Sequence, residues 1–508
     1  MSRTLLKSII KKINLLIFFV RIKKNFKKLK SDPNEIKKTY KKSILFEFYF
    51  TDLIMLSLFL LLGLVNRKKY KMYFFFYSKN FLKRKIIFIF LKYFTISIKK
   101  YLNINTINTY LKRKKNLEAS MKIFKKLNTK EDVYKITYKN QKIGKYIYQS
   151  YCRDFMEYTV NINDRRLLTK IEDALNVLDN MNAFFKKNRV NKLVISHTVF
   201  IKYGLLAMLA KKYGSKIYIF WKQKNNLIKR LQISKNLVQA DDYKNFKKIF
   251  YHQIDKNKLI SFSKKKLNQK LSGKPDNLLR KSGKSSFDKN KIFLFKNSNK
   301  PKILILPSCF FDAVMFFEKS LFPDNYTWLE YLLTKSKETN FEWYLKPHPD
   351  GMLENINVIK KFEKDFPHLN LIDKNTSNYS FKKAKFSSVF TYQSNAILEF
   401  AHMNIPSVIV SDNLQSSFNY AKPVMSLKKF DQMILNADKL KLNKNSRQEI
   451  YQFSSVFYNF MSKKVKFYND FELRNESDDY VFGELHQINS YFKKQFYFEK
   501  KNKLKKFI

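Results

Sequence analysis

The sequence predicts an α/β protein built from two doubly wound domains, and three observations predict it. A strand, helix, strand pattern opens the chain and returns twice, in well-separated regions. The length of 508 residues exceeds what one ordinary core needs and suits two α/β domains. The composition is 45% hydrophobic and 17% aromatic. That excludes a disordered chain, despite a formal net charge of +60.

In chain order, the run SILFEFY at 43–49, an apolar helix over 52–65 and the run MYFFFY at 72–77 read as the opening unit of a parallel sheet. Residues 80–190 read as basic and helical, with the clearest helical repeat at 166–188. The strand grammar returns at KLVIS (192–196), followed by a helix over 200–212, Gly214 as its C-terminal cap, and the strand KIYIF at 216–220. Residues 253–300 turn to Lys-Ser-Gly-Asn-Pro text and read as a solvated basic connection. A second series follows, with strands at 302–307, 342–346, 386–391 and 406–410 and helices at 326–338, 354–365 and 394–403. Residues 425–508 read as closing helices. The expected organisation is 1–40 a basic segment, 41–252 a first domain with a helical insertion, 253–300 the linker, 301–424 a second domain, and 425–508 C-terminal helices.

The charge comes from 101 Lys+Arg against 41 Asp+Glu. Part of it reflects an AT-rich coding bias that favours Lys, Phe, Ile, Asn and Tyr. The rest makes a field that attracts anions, whether lipid head groups, nucleotides or nucleic acid. No nucleic-acid motif accompanies it, so no specific nucleic-acid partner is expected. Two cysteines, Cys152 and Cys309, are too few for a disulfide framework or a zinc site and suit a reducing, cytoplasmic setting. The apolar runs at 14–20 and 53–65 are shorter than the ~20 residues a membrane span needs, and residues 20–35 offer no signal-peptide cleavage site. Residues 1–40 therefore read as a frayed tail or as a segment lying on an anionic bilayer.

In open α/β sheets, ligands sit beyond the carboxyl ends of the strands. Loops there are where chemistry is sought. The stretch WYLKPHPDGM at 343–352 fits: Lys346 ends a strand, and two prolines stiffen the loop around His348. The pair suits a phosphate or diphosphate; the other reading of His348 is a cap for a helix starting near Asp350. The stretch TYQSNAILEFAHMNIPSVIV at 391–410 places Ser394 and Asn395 where a strand gives way to a helix, as caps or as anion ligands. Glu399, inside that helix, either accepts hydrogen bonds from a ribose or is solvated. No metal-ligand set or cofactor motif stands out, the strand-following loops hold no Asp-x-Asp pair, and neither metal nor cofactor is expected.

At these residues the chain resembles the capsule polysaccharide biosynthesis proteins, glycosyltransferases of the two-Rossmann-domain type called GT-B. Lys-Pro-His-Pro followed by the turn and helix SNAILEFAHMNIP at 394–406 carries the likeness. So do PSCFFDA at 307–313, LFPDNYTWLEYLL at 321–333, TYKNQKIGKYIYQSY at 137–151 and SHTVFIKYGLL at 196–206. It covers roughly residues 43–412. The resemblance implies two Rossmann-like domains facing a central cleft, with His348 and Ser394 gripping the phosphate and ribose of a nucleotide-sugar donor. The chain departs from the pattern in having Tyr392 and Gln393 where relatives carry Gly beside the turn. It also has Ser308 where relatives often show His, and only 8 glycines throughout.

A GT-B enzyme usually draws its base from the N-terminal domain. Glu47 near the end of the first strand and His197 just after the strand 192–196 qualify, each with a structural reading beside the catalytic one; Asp52 reads rather as a helix cap. Asp312 follows the first strand of the second domain, and either binds a substrate or caps a helix. The expected reaction is metal-independent transfer of a sugar from a nucleotide-sugar donor to a surface polysaccharide or lipid-linked glycan, at the inner face of an anionic membrane. Polyol-phosphate transfer of the CDP-glycerol type is the alternative within enzymes, and a basic nucleic-acid-binding protein the alternative outside them.

Overall fold

The computed structural model describes residues 42–47, 59, 70–77, 104–110, 113–222, 228–233, 246–272, 287, 292–295, 298–311, 319–348 and 353–459. The basic segment 1–40, the apolar helix expected over 52–65 apart from Phe59, Asp52, Asp312 and the chain beyond 459 lie outside them. The chain is mixed α/β with parallel sheets. In the first half, β1 (Ser43–Glu47), β2 (Lys71–Phe76), β3 (Ile104–Asn108), β6 (Lys192–Ile195), β7 (Lys216–Lys222) and β8 (Ile228–Ile233) form one sheet in the order β3-β2-β1-β6-β7-β8. Only the β7–β8 edge is antiparallel. A two-stranded hairpin, β4 (Thr137–Tyr138) and β5 (Gln141–Lys142), stands apart. In the second half, β9 (Lys302–Leu306), β10 (Glu342–Leu345), β11 (Leu369–Leu371), β12 (Ser388–Thr391) and β13 (Ser407–Ile409) form an all-parallel sheet in the order β11-β10-β9-β12-β13. Counting the parallel strands in chain order, both sheets read 3-2-1-4-5, the Rossmann arrangement. The order reverses between β1 and β6 in one sheet and between β9 and β12 in the other, the points beyond whose carboxyl ends open α/β sheets place their ligands.

These strands form where the sequence gives unbroken apolar runs, because a parallel sheet covered on both faces buries every side chain. All five residues of β1 are buried, the last of them Glu47. The helix Arg165–Lys187 begins on Asp164, whose carboxylate accepts from Arg166 N at 2.8 Å, and ends on two lysines that complement its dipole. After the helix Leu205–Lys212, Gly214 takes φ +76°. Gly214 N then donates to Lys211 O at 2.9 Å and Ser215 N to Ala210 O at 2.8 Å, the double closure of a Schellman cap.

Two stretches differ from expectation. Part of 253–300, expected as a solvated connection, is the helix Lys256–Leu271, with Ser263, Leu267 and Lys270 buried. With the preceding helix Phe246–Tyr251 it packs on the helix Ser446–Asn459, through Phe246, Phe250, Leu267, Ile450 and Phe453. That stripe is only one residue wide per turn, and surrounding lysines hide it. Within 80–190, read as helical, lie the edge strand β3 and the β4–β5 hairpin, whose turn residues Lys139 and Asn140 take φ 48° and 60°. Positive φ at both is the signature of a type I′ turn, which favours Asn but not Lys. Among the described residues no helix is long and apolar enough to cross a membrane.

Gly144 opens the helix Gly144–Phe155, and a Cβ there would meet Val133 O at 2.0 Å and Tyr134 O at 2.4 Å, both backbone atoms. Gly144→Ala should therefore cost about 3 kcal/mol through overpacking. Gly214→Ala, with nothing within 4 Å, should cost only the left-handed backbone penalty of about 1 kcal/mol. Urea midpoints of the two variants test the ranking, and equal losses would contradict it.

Candidate active site

At the first reversal point, the ladder between β1 and β6 ends as Phe46 pairs with Val194. Just beyond, Glu47 and Ser196 meet. Glu47 is fully buried. Its Oε2 accepts from Ser196 N at 2.8 Å and from Ser196 Oγ at 2.6 Å, and the same Oγ lies 2.7 Å from His197 Nδ1. Lys202 Nζ stands 3.9 Å from Glu47 Oε1. Burial pushes the Glu47 carboxyl up from its ordinary value, while the Lys202 ammonium, the Ser196 hydrogen bonds and the Tyr203 hydroxyl pull it back. Glu47 and His197, predicted separately, are thus brought together by a serine that sequence reasoning passed over.

Lys202 and Tyr203 ride on a single π-helical turn, Phe200–Gly204. Phe200 opens it at φ +63°, a left-handed backbone that a bulky side chain rarely takes. Such turns persist where their surroundings over-determine them. Here Ile201 N donates to Ser150 Oγ at 2.9 Å, and Gly204 lets the Tyr146 ring approach to where a Cβ would sit only 2.1 Å from it. The segments 137–151 and 196–206 therefore pack against each other.

At the second reversal point, Ser308 follows β9 and Gln393 follows β12, and Ser308 Oγ donates to Gln393 O at 2.6 Å. Asn325 Nδ2 donates to Ser308 O at 2.8 Å. Ser308 and Gln393 thus bond to each other. Tyr392, beside Gln393, is fully buried: its hydroxyl accepts from Ser320 Oγ at 2.6 Å and donates to Phe322 O at 2.9 Å. It turns into the core of the second sheet. Ser394 is half-buried and accepts from Ala396 N at 3.1 Å, while Asn395 is exposed. Neither caps the helix itself, which runs Ile397–His402 behind Ala396 without a side-chain cap. At 6 residues this helix offers little macrodipole, so any anion binding here rests on local donors.

Beside this point, Lys346 and His348 end at different depths. His348 is exposed on its loop. Lys346 is 4% exposed; its Nζ donates to Asn378 Oδ1 at 2.6 Å and sits 5.6 Å from the centre of the Phe381 ring. Burial pushes the Lys346 ammonium down to about 8, against the pull of Glu399 and Asp373. Glu399 is itself buried and paired with Lys270 of the helix Lys256–Leu271, so it is not the solvated residue its spacing allowed. Among the described residues no three His, Cys, Asp or Glu side chains converge as metal ligands.

The Lys346 charge is held at a cost. Its folded pKa of about 8 against the ordinary 10.5 corresponds to about 3 kcal/mol against the protonated form. The folded state loses its proton first as pH rises, so the cost is complete below about pH 8 and vanishes above the unfolded value, and stability rises across that window. Lys346→Met, which also leaves Asn378 Oδ1 unpaired, should raise stability by about 1–2 kcal/mol at neutral pH. The gain should shrink as pH climbs toward 10.5. Urea midpoints measured at about pH 7 and about pH 10 test this; a lowered midpoint at neutral pH would refute it.

No protein-family model matches the chain, and no curated protein matches it. Among solved structures, the beta Kdo 2,4 transferase KpsC of Thermosulfurimonas dismutans aligns with a TM-score of 0.35 at 8% identity, covering 52% of this chain and 79% of that one. The UDP-GlcNAc 2-epimerase of Neisseria meningitidis, solved bound to UDP-GlcNAc, aligns with a TM-score of 0.18 at 11% identity, covering 89% of this chain and 99% of that one. At TM-scores of this size neither likeness carries an argument about what this chain does.

Proposed function

We propose that the protein is a GT-B glycosyltransferase that moves a sugar from a nucleotide-sugar donor to a surface polysaccharide or lipid-linked glycan. One observation supports this above the rest: two parallel sheets with the same 3-2-1-4-5 order each present polar side chains at their reversal point. A two-substrate transfer needs such a division, with one crevice for the nucleotide and another for the acceptor and its proton. The segment resemblance to capsule polysaccharide proteins assigns the second sheet to the donor.

In this reading, His348 is the exposed hydrogen-bond donor to the diphosphate, and Lys346 supplies positive potential from behind the loop rather than direct contact. Ser394 and Asn395 serve the ribose or phosphate, and Glu399 fixes the loop through Lys270 rather than touching the nucleotide. Charge develops on the leaving nucleotide as the glycosidic bond to phosphate breaks, and preorganised donors stabilise it more than they stabilise the bound ground state. Transfer in this scheme runs without a metal ion, the charge on the leaving nucleotide being met by these side chains. The anionic membrane stays the proposed site of action through residues 1–40.

Incubation of the purified protein with UDP-, GDP- and CMP-sugars and with CDP-glycerol, reading which nucleotide is released, separates sugar transfer from polyol-phosphate transfer. His348→Ala removes a charge-assisted hydrogen bond of about 1.5–3 kcal/mol. It should weaken nucleotide binding roughly 10- to 100-fold without changing the melting temperature. A lowered melting temperature with unchanged nucleotide affinity would instead mark His348 as structural.

A further inference from the structure

We infer that Glu47, Ser196 and His197 form a hydrogen-bonded relay that makes His197 Nε2 the general base for the acceptor hydroxyl, with Ser196 and Glu47 as positioning residues. The inference rests on the glycosyl-transfer reading for its substrate, an acceptor alcohol, and on geometry alone for the relay. A serine hydroxyl has one hydrogen and two neighbours here. Glu47 Oε2 accepts from Ser196 N at 2.8 Å and from Ser196 Oγ at 2.6 Å. The hydroxyl hydrogen therefore points to Glu47, and Ser196 Oγ accepts from His197 Nδ1 at 2.7 Å. Nδ1 carries the ring hydrogen, and Nε2 carries the lone pair.

The surroundings hold that arrangement. Lys202 Nζ, 3.9 Å from Glu47 Oε1, favours the ionised carboxylate in a fully buried place. Lys202 also donates to the Tyr203 hydroxyl at 2.8 Å, and the Tyr203 ring lies 5.5 Å from the His197 ring, limiting its rotation. The strained Phe200 and the close fit of Gly204 on Tyr146 set the turn that carries both residues. His197 itself is half-buried at the carboxyl end of β6, at the reversal point where an open α/β sheet binds its ligand.

In the transfer step, the acceptor oxygen forms its bond to the anomeric carbon as its proton moves to His197 Nε2. The bond from that carbon to the donor phosphate breaks, and its electron pair leaves with the nucleotide. The imidazolium that results is stabilised through Ser196 by the Glu47 carboxylate, and its proton returns to solvent after product release. A carboxylate reaching a histidine through a hydroxyl fixes the tautomer as a direct partner does.

Nitrogen-15 NMR of histidine-labelled protein tests the relay without any substrate. The chain has 6 histidines, and His197→Gln assigns the signal. In the unaltered protein His197 should show the Nδ1–H tautomer at neutral pH. Ser196→Ala should shift it toward Nε2–H and lower kcat roughly 10- to 100-fold, within the usual range for general-base catalysis, with KM for the donor unchanged; Ser196→Thr should restore both. An Nε2–H tautomer in the unaltered protein, or one that Ser196→Ala leaves in place, would overturn the relay. Absence of turnover with every donor, alongside the expected tautomer, would instead remove the glycosyl-transfer reading and leave the relay standing.

Discussion

A buried carboxylate, Asp324, bonds residues of the two halves of the chain to each other. Asp324 is 2% exposed. One oxygen accepts from Thr327 N at 2.6 Å, closing the first turn of the helix Asn325–Ser336, and the other accepts from Thr159 Oγ1 at 2.6 Å and from the Tyr148 hydroxyl. Thr327 belongs to the second half, Tyr148 and Thr159 to the first. Burying a carboxylate costs several kcal/mol unless its lone pairs are met, and here three donors and a helix N-terminus meet them. Around it Tyr134 donates to Pro323 O at 2.5 Å, Lys130 reaches Thr159 and Thr327, and the Tyr158 and Tyr326 rings stand 4.2 Å apart. Burial, and then Asp324, push the Tyr148 hydroxyl well up, which keeps it a donor.

That junction falls on elements that also reach both reversal points. The helix Gly144–Phe155 supplies Tyr148 to Asp324, Tyr146 to the face of Gly204 and Ser150 to Ile201 N. Asn325, next to Asp324, donates to Ser308 O at the second reversal point. A shift at the junction would therefore be felt at both reversal points through directly packed neighbours, because close-packed interiors transmit displacement rather than absorb it. The segments 137–151 and 196–206 move together for the same reason.

The inner strands of the two sheets were legible because they are buried on both faces. SILFE, KMYFFF, KLVI, KILIL and SVFT read as strands from their apolar runs alone. INTIN at β3 and LNL at β11 did not, since the edges of a sheet carry polar residues and give no run to read. Glu47 and His197 were legible as chemistry-bearing residues beside strand ends. Their union through Ser196 was not, because 149 positions separate Glu47 from Ser196 and nothing in one sequence says that β1 pairs with β6. Lys346 was legible as a strand-end lysine, but its depth was not: whether an ammonium turns toward a ligand or toward Asn378 depends on the element Tyr379–Lys383 packing below it.

The net charge of +60 bears on function less than its size suggests. Exposed charges more than about 8–10 Å apart are screened at physiological salt, so most lysines add only to a diffuse attraction that any polyanion shares. Lys346 differs because it is buried: the same unit charge in a low-dielectric interior projects a potential several times larger toward the loop in front of it. A site selective for one phosphate group needs that kind of local, fixed charge, together with donors of fixed geometry such as a proline-flanked imidazole. Diffuse charge explains attraction to a membrane or to nucleic acid without specifying either. The distinction between a catalyst and a general polyanion binder therefore rests on a few residues at the strand ends, whatever the sum over the surface.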